Sequence, residues 1–229
     1  MANQNASIVR EVNAPTISRR AYNALCFGLV TLSFLVMWGS YLFSRSYTFY
    51  RMLFSMSGGT FSVLLIGSFI FTIVGIVLMS VGKSRQSLAL SVVGYALFSL
   101  TFGFTASLSL QSYSLGSITY AFGITACLSG IFLILGVMFP EFFARIGRLL
   151  TATLLAVIVL EIIATVFFHA NQTIFDYVVV MVFCGFLGFD SYQLAIDEPT
   201  VPNAIWHASD IYLDIINILL RVLSIMDRD

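Results

Sequence analysis

His207-Ala-Ser-Asp-Ile-Tyr-Leu-Asp-Ile-Ile-Asn-Ile-Leu-Leu-Arg-Val-Leu-Ser-Ile-Met226 is the stretch that decides the fold. Most of it is aliphatic, yet Asp210, Asp214, Asn217 and Arg221 recur at steps of four, three and four. That is helical spacing. At 100° per residue these four and His207 fall within a sector of roughly 80°, and the other sides are apolar. Such a helix needs apolar neighbours almost all round and one polar seam. Both needs are met inside a membrane bundle.

The composition agrees. The 229 residues are 59% hydrophobic and 10% charged, with a mean hydropathy of +0.97. A soluble domain carries about 25% charge, so the chain reads as an all-α integral membrane protein whose first partner is the lipid bilayer. Its 11 basic and 11 acidic residues balance, which leaves no basic field for nucleic acid. The first twenty residues are polar, with Arg10, Glu11, Arg19 and Arg20, and lack the features of a cleaved signal. Cys26, Cys127 and Cys184 each sit in an apolar run, at no zinc-binding spacing, and read as helix-packing residues.

A crossing helix takes about 20 apolar residues. Spans are expected at Tyr22–Phe43, Gly58–Val81, Leu88–Leu110, Gly116–Phe139, Leu149–Phe168 and Ile174–Ile196, with His207–Met226 as a seventh that either crosses fully or, given its early polar half, is re-entrant or tilted. Residues 1–20 then form a tail, and 21–229 a single seven-helix transmembrane domain. On the N-terminal side lie Arg10, Arg19, Arg20, Lys83, Arg85, Arg145 and Arg148; on the other lie Arg45 and Arg51. Positive charge stays inside, so the N-terminus is expected in the cytoplasm. Pro140, Pro199 and Pro202 read as helix punctuation. Tyr41, Tyr47, Phe49 and Tyr50 read as an interfacial aromatic group. Gly67, Gly75, Gly123 and Gly130 suit close helix packing.

The ionisable residues inside spans carry the functional content. Glu161, Asp190, Asp210 and Asp214 each cost about 2.5–3.5 kcal/mol at mid-helix. Asp190 precedes the end of its span by six residues, about 9 Å, and Asp214 lies seven residues into the next segment, about 10 Å deep. The two helices form a hairpin, so a contact between these carboxyls is expected. Two unit charges at ~4 Å repel by about 4 kcal/mol at an effective dielectric of 20. One shared proton relieves that, and the pair then titrates as a unit. Losing the proton drives the hairpin apart or recruits a cation, with Ca²⁺ the natural guest of oxygen ligands. The alternative is that Asp190 pairs quietly with a hydroxyl or backbone group.

The other seam residues stay open in their roles. Asp210 is a third acid of the site or a mouth residue in water. Arg221 is expected to snorkel to the far interface, the alternative being neutralisation of an acid such as Glu161. Glu161 is either lumen-facing or structurally hydrogen-bonded. His207, at the start of the seventh segment, has scope for a modest pH role, and His169 reads as interfacial.

These residues also resemble a known family. Tyr212-Leu-Asp-Ile-Ile-Asn217 after Ala208 resembles the C-terminal signature of the Bax inhibitor-1 (transmembrane Bax inhibitor motif) family, and Phe189-Asp190-Ser191 with Gln193 resembles the stretch that ends its sixth helix. Thr101-Phe-Gly-Phe-Thr105 and Gly147-Arg-Leu-Leu150 fit as well, and the similarity spans residues 20–226. The resemblance implies six helices around a central seventh, and an aspartate pair, here Asp190 and Asp214, acting as pH sensor for a Ca²⁺ leak. It implies a plasma-membrane location in bacteria, which the compact chain favours, or the endoplasmic reticulum or Golgi in eukaryotes. It also implies roles in restraining cell death or modulating a membrane protease. Members often carry an acid in the second span, whereas Gly58–Val81 holds no ionisable residue.

A pH-sensitive Ca²⁺ leak or cation pathway is therefore the leading expectation, with Ca²⁺ and protons as its ions and no resident cofactor. A non-conducting regulator of a membrane protein partner comes second. Enzymatic activity is not expected, because Gly188-Phe-Asp190 and Tyr212-Leu-Asp214 miss the motifs of presenilin-type aspartyl proteases. A retinal protein is excluded because the single lysine, Lys83, lies in a connector.

Overall fold

The computed structural model describes residues 15–55, 58–168 and 173–227. Arg10, Glu11 and His169 lie outside the described residues, as does the side chain of Tyr50. Eight helices follow in order: α1 (Arg19–Ser44), α2 (Tyr47–Ser55), α3 (Gly58–Ser84), α4 (Leu88–Leu110), α5 (Leu115–Met138), α6 (Pro140–Phe168), α7 (Thr173–Ile196) and α8 (Val201–Met226). Six of them, α1 and α3 to α7, are long and apolar enough to cross a membrane. The described residues contain no strand beyond an isolated antiparallel bridge between Thr16 and Thr200.

Local chemistry sets the helix ends. Ser18, Ser114 and Thr200 cap α1, α5 and α8, each accepting from the backbone N–H three residues on. Pro202 occupies the first turn of α8, where a missing N–H costs nothing. This moves the start of α8 six residues ahead of His207. Pro140 likewise opens α6 instead of merely ending the preceding helix, and α6 starts nine residues before Leu149. The short α2 was not anticipated. Tyr41 and Phe49, expected at an interface, are buried, and Arg45 Nη1 donates to Tyr41 Oη at 2.8 Å; Tyr47 is exposed.

Packing follows small residues and polar contacts, as it must where lipid removes the usual hydrophobic drive. Gly75 and Gly94 bring α3 and α4 together so closely that a Cβ on Gly75 would lie 2.8 Å from Gly94 O and Phe98 N. Gly67, Gly123 and Gly130 face open space instead. Ser33 and Tyr95 hydroxyls meet at 2.8 Å between α1 and α4, and Thr72 and Thr101 at 2.8 Å between α3 and α4.

The last helix is the most buried element. It packs on α1, α3, α4, α5 and α7, while α6 packs chiefly on α7. Ile211, Tyr212, Ile216, Ile218 and Leu219 are fully buried, and the Tyr212 ring meets Phe34, Phe98 and Phe102 edge-on. The apolar sides of the seam helix thus find apolar neighbours, and the seam itself faces α6 and α7.

Candidate functional site

The seam opens onto a cavity of about 240 Å³ lined by Asp190, Asp210 and Asp214 together with Leu154, Leu213 and three phenylalanines of α7, Phe183, Phe186 and Phe189. Two helices deliver the acids. Asp190 sits six residues before the end of α7, and Asp210 and Asp214 are one turn apart on α8. Small residues let the surrounding helices close in. A Cβ on Gly188 would overlap the Phe143 ring, and one on Gly136 the Gly188 carbonyl.

The Asp190 and Asp214 carboxyls line the same cavity and stand close enough to interact. Two carboxylates have only acceptors, so a hydrogen bond between them would need a shared proton. Both residues are buried, at 9% and 5% exposure. Asp214 Oδ2 is left without a partner in the interior, an unmet acceptor beside an acidic cavity. Asp210 is part-exposed, and the surface it keeps lies along the same cavity. Its place is therefore beside the pair.

Charged clusters stand at both ends of the seam. At the α7–α8 connector, Asp197 Oδ2 accepts from Lys83 Nζ at 2.8 Å and from His207 Nε2 at 3.0 Å. These bonds, that from His207 first, hold the Asp197 carboxyl well below the usual carboxylate range, against an opposing push from burial. Gln86, in a left-handed backbone conformation (φ 50°), extends the cluster by donating to Asn203 Oδ1 at 3.1 Å. His207 thus serves a structural ion pair.

At the other end the expectation for Arg221 is corrected. It does not snorkel. Its guanidinium donates to Glu161 at 2.8 and 3.1 Å and to Asp176 at 2.6 Å, and Ser224 Oγ donates to Asp176 Oδ2 at 2.9 Å. Two carboxylates within reach outbid water at the interface for a planar five-donor group. Asp176, fully buried, is the functional residue the sequence reading missed. Its signal was an acid two residues inside a span whose partner helix carries an arginine. Asn217, the remaining seam residue, donates to its own helix at Leu213 O, 2.8 Å away, and is not among the residues lining the cavity.

The sequence profile described as inhibitor of apoptosis-promoting Bax1 matches residues 14–229. The chain belongs to the Bax inhibitor-1 family. No curated protein gives a significant match. As a member of this family with six long apolar helices, it is a multi-pass integral membrane protein. Among the described residues of this Bax inhibitor-1 family member, no three His, Cys, Asp or Glu side chains are arranged to hold a metal ion.

Proposed function

We propose that this protein is a pH-sensitive cation pathway, a Ca²⁺ leak whose gate is the proton between Asp190 and Asp214. The observation that carries the reading is the convergence of the buried Asp190 and Asp214 carboxyls on a cavity that also holds Asp210. While the proton is present the α7–α8 hairpin is latched. When it leaves, like charges at contact distance repel by about 4 kcal/mol at an effective dielectric of 20. The hairpin then either parts or takes up a divalent cation among carboxylate oxygens. In this reading α8 is the seventh crossing, central in the bundle, and the Lys and Arg residues Arg19, Arg20, Lys83, Arg85, Arg145 and Arg148 support a cytoplasmic position for the end that carries them, by preference in a bacterial plasma membrane. No enzymatic step is assigned to the aspartates.

The test is Ca²⁺ entry into proteoliposomes loaded with an indicator dye, from mildly acidic to mildly alkaline pH. The native chain should show pH-dependent entry, and Asp190→Asn and Asp214→Asn should each abolish the dependence. A folded, correctly inserted protein that passes no Ca²⁺ at any pH would sink this reading. The second, a non-conducting regulator of a membrane partner, would then stand. It draws support from α3, where no ionisable residue precedes Lys83.

A further inference from the structure

We infer that Arg221 is a cationic plug at the α6–α7 end of the seam, opened by release of Glu161 and not of Asp176. The inference rests on the cation-pathway reading. Its geometry comes from three helices in the same register. Leu154, Phe183 and Asp214 line the acidic cavity on α6, α7 and α8. Seven residues onward on α6 is Glu161, seven back on α7 is Asp176, and seven onward on α8 is Arg221. Seven residues is two helical turns, so each returns to nearly the same face about 10 Å along the axis. The three meet there in one clamp. The clamp therefore caps the cavity along the line an ion leaving it would take.

Its chemistry opposes passage. A guanidinium always carries its charge, so the closed mouth presents a fixed cation to an incoming one. Without it, the same mouth presents two carboxylates. The two ties differ in security. Asp176 is fully buried and also accepts from Ser224 of α8, so it is fastened to α8 twice. Glu161 belongs to α6, which packs chiefly on α7 and meets α8 here through the Arg221 pair. Outward movement of α6 breaks the Glu161 bonds and leaves the Asp176 bond in place.

The test is thiol labelling, which needs no ion flux. Cys26, Cys127 and Cys184 are replaced by serine, and Leu213→Cys places a reporter on the cavity wall. A small cationic methanethiosulfonate is applied to oriented vesicles from the α6–α7 side alone. With Arg221 in place, labelling should be slow. Arg221→Gln and Glu161→Gln should speed it by on the order of tenfold or more, the factor that goes with losing a hydrogen-bonded, part-buried charge pair. Asp176→Asn should leave it slow. Glu161→Gln retains the Arg221–Asp176 pair and so guards against loss of fold. Fast labelling of the plugged protein, or slow labelling in both folded variants, would overturn the plug. Equal acceleration by Asp176→Asn would overturn the order of release. A plug-dependent labelling rate in a protein without Ca²⁺ entry would remove the leak reading and leave the plug standing.

Discussion

Asp197→Asn is expected to loosen the end of the bundle where α3, α7 and α8 meet. The native carboxylate holds Lys83 and His207 at 2.8 and 3.0 Å, with side-chain exposures of 24% for Asp197, 31% for Lys83 and 2% for His207. A hydrogen bond to a charged group contributes about 1.5–3 kcal/mol when sheltered, as the His207 bond is. The Lys83 bond has water at both partners and belongs with surface pairs, up to about 1 kcal/mol. The loss is then about 2–4 kcal/mol, and for a chain of this size the melting midpoint should fall by roughly 5–15 °C. The sign of the pH dependence follows from the depressed carboxyl. A group whose folded value lies below its unfolded one, near 3.9, stabilises above that value and stops doing so as pH falls through the folded one. The gap between native and variant midpoints should therefore begin to close below about pH 4. Thermal unfolding in detergent, followed by a fluorescent thiol or tryptophan signal over a pH series, reads both quantities. An unchanged midpoint near neutrality, or a gap that widens as pH falls below about 4, would refute the reasoning.

Two further variants test the packing. Gly136→Ala pushes a methyl into the Gly188 carbonyl and should cost about 1–3 kcal/mol by overpacking, whereas Gly123→Ala meets nothing within 4 Å and should be neutral; paired melting curves decide. Tyr212→Phe removes a hydroxyl that is buried without a partner and keeps the ring contacts to Phe34, Phe98 and Phe102, so its midpoint should match or exceed the native one; a clear drop would mean that the hydroxyl is bonded after all.

Much of the architecture was legible because membrane insertion imposes one strong rule, an apolar run of fixed length. All seven expected spans correspond to helices, and Asp190 with Asp214 emerged from hairpin topology alone, although the start of α8 was misplaced by six residues. What stayed hidden was of two kinds. Junctions such as Phe139-Pro140 were opaque because proline ends one helix and opens the next with equal ease. Long-range partners were opaque because no local pattern links residues far apart in sequence. Lys83 looked only like an orienting charge, yet it forms an ion pair with Asp197, 114 positions away. Arg221 near a helix end looked like a snorkelling residue, and only the placement of α6 and α7 showed two carboxylates within its reach.

The junction between the chain's first described residues and its last hairpin has a consequence for biogenesis. Ile17 N–H donates to Pro199 O at 2.8 Å, Thr16 pairs with Thr200, and Arg19 reaches Leu194 O at 3.1 Å. The first of the described helices thus completes its bonding against residues synthesised some 175 positions later. Ser33 of α1 finds its partner earlier, in Tyr95 of α4. The side of α1 that packs on α8 gains that neighbour only when the last helix arrives, so the burial of α1 is completed late in synthesis.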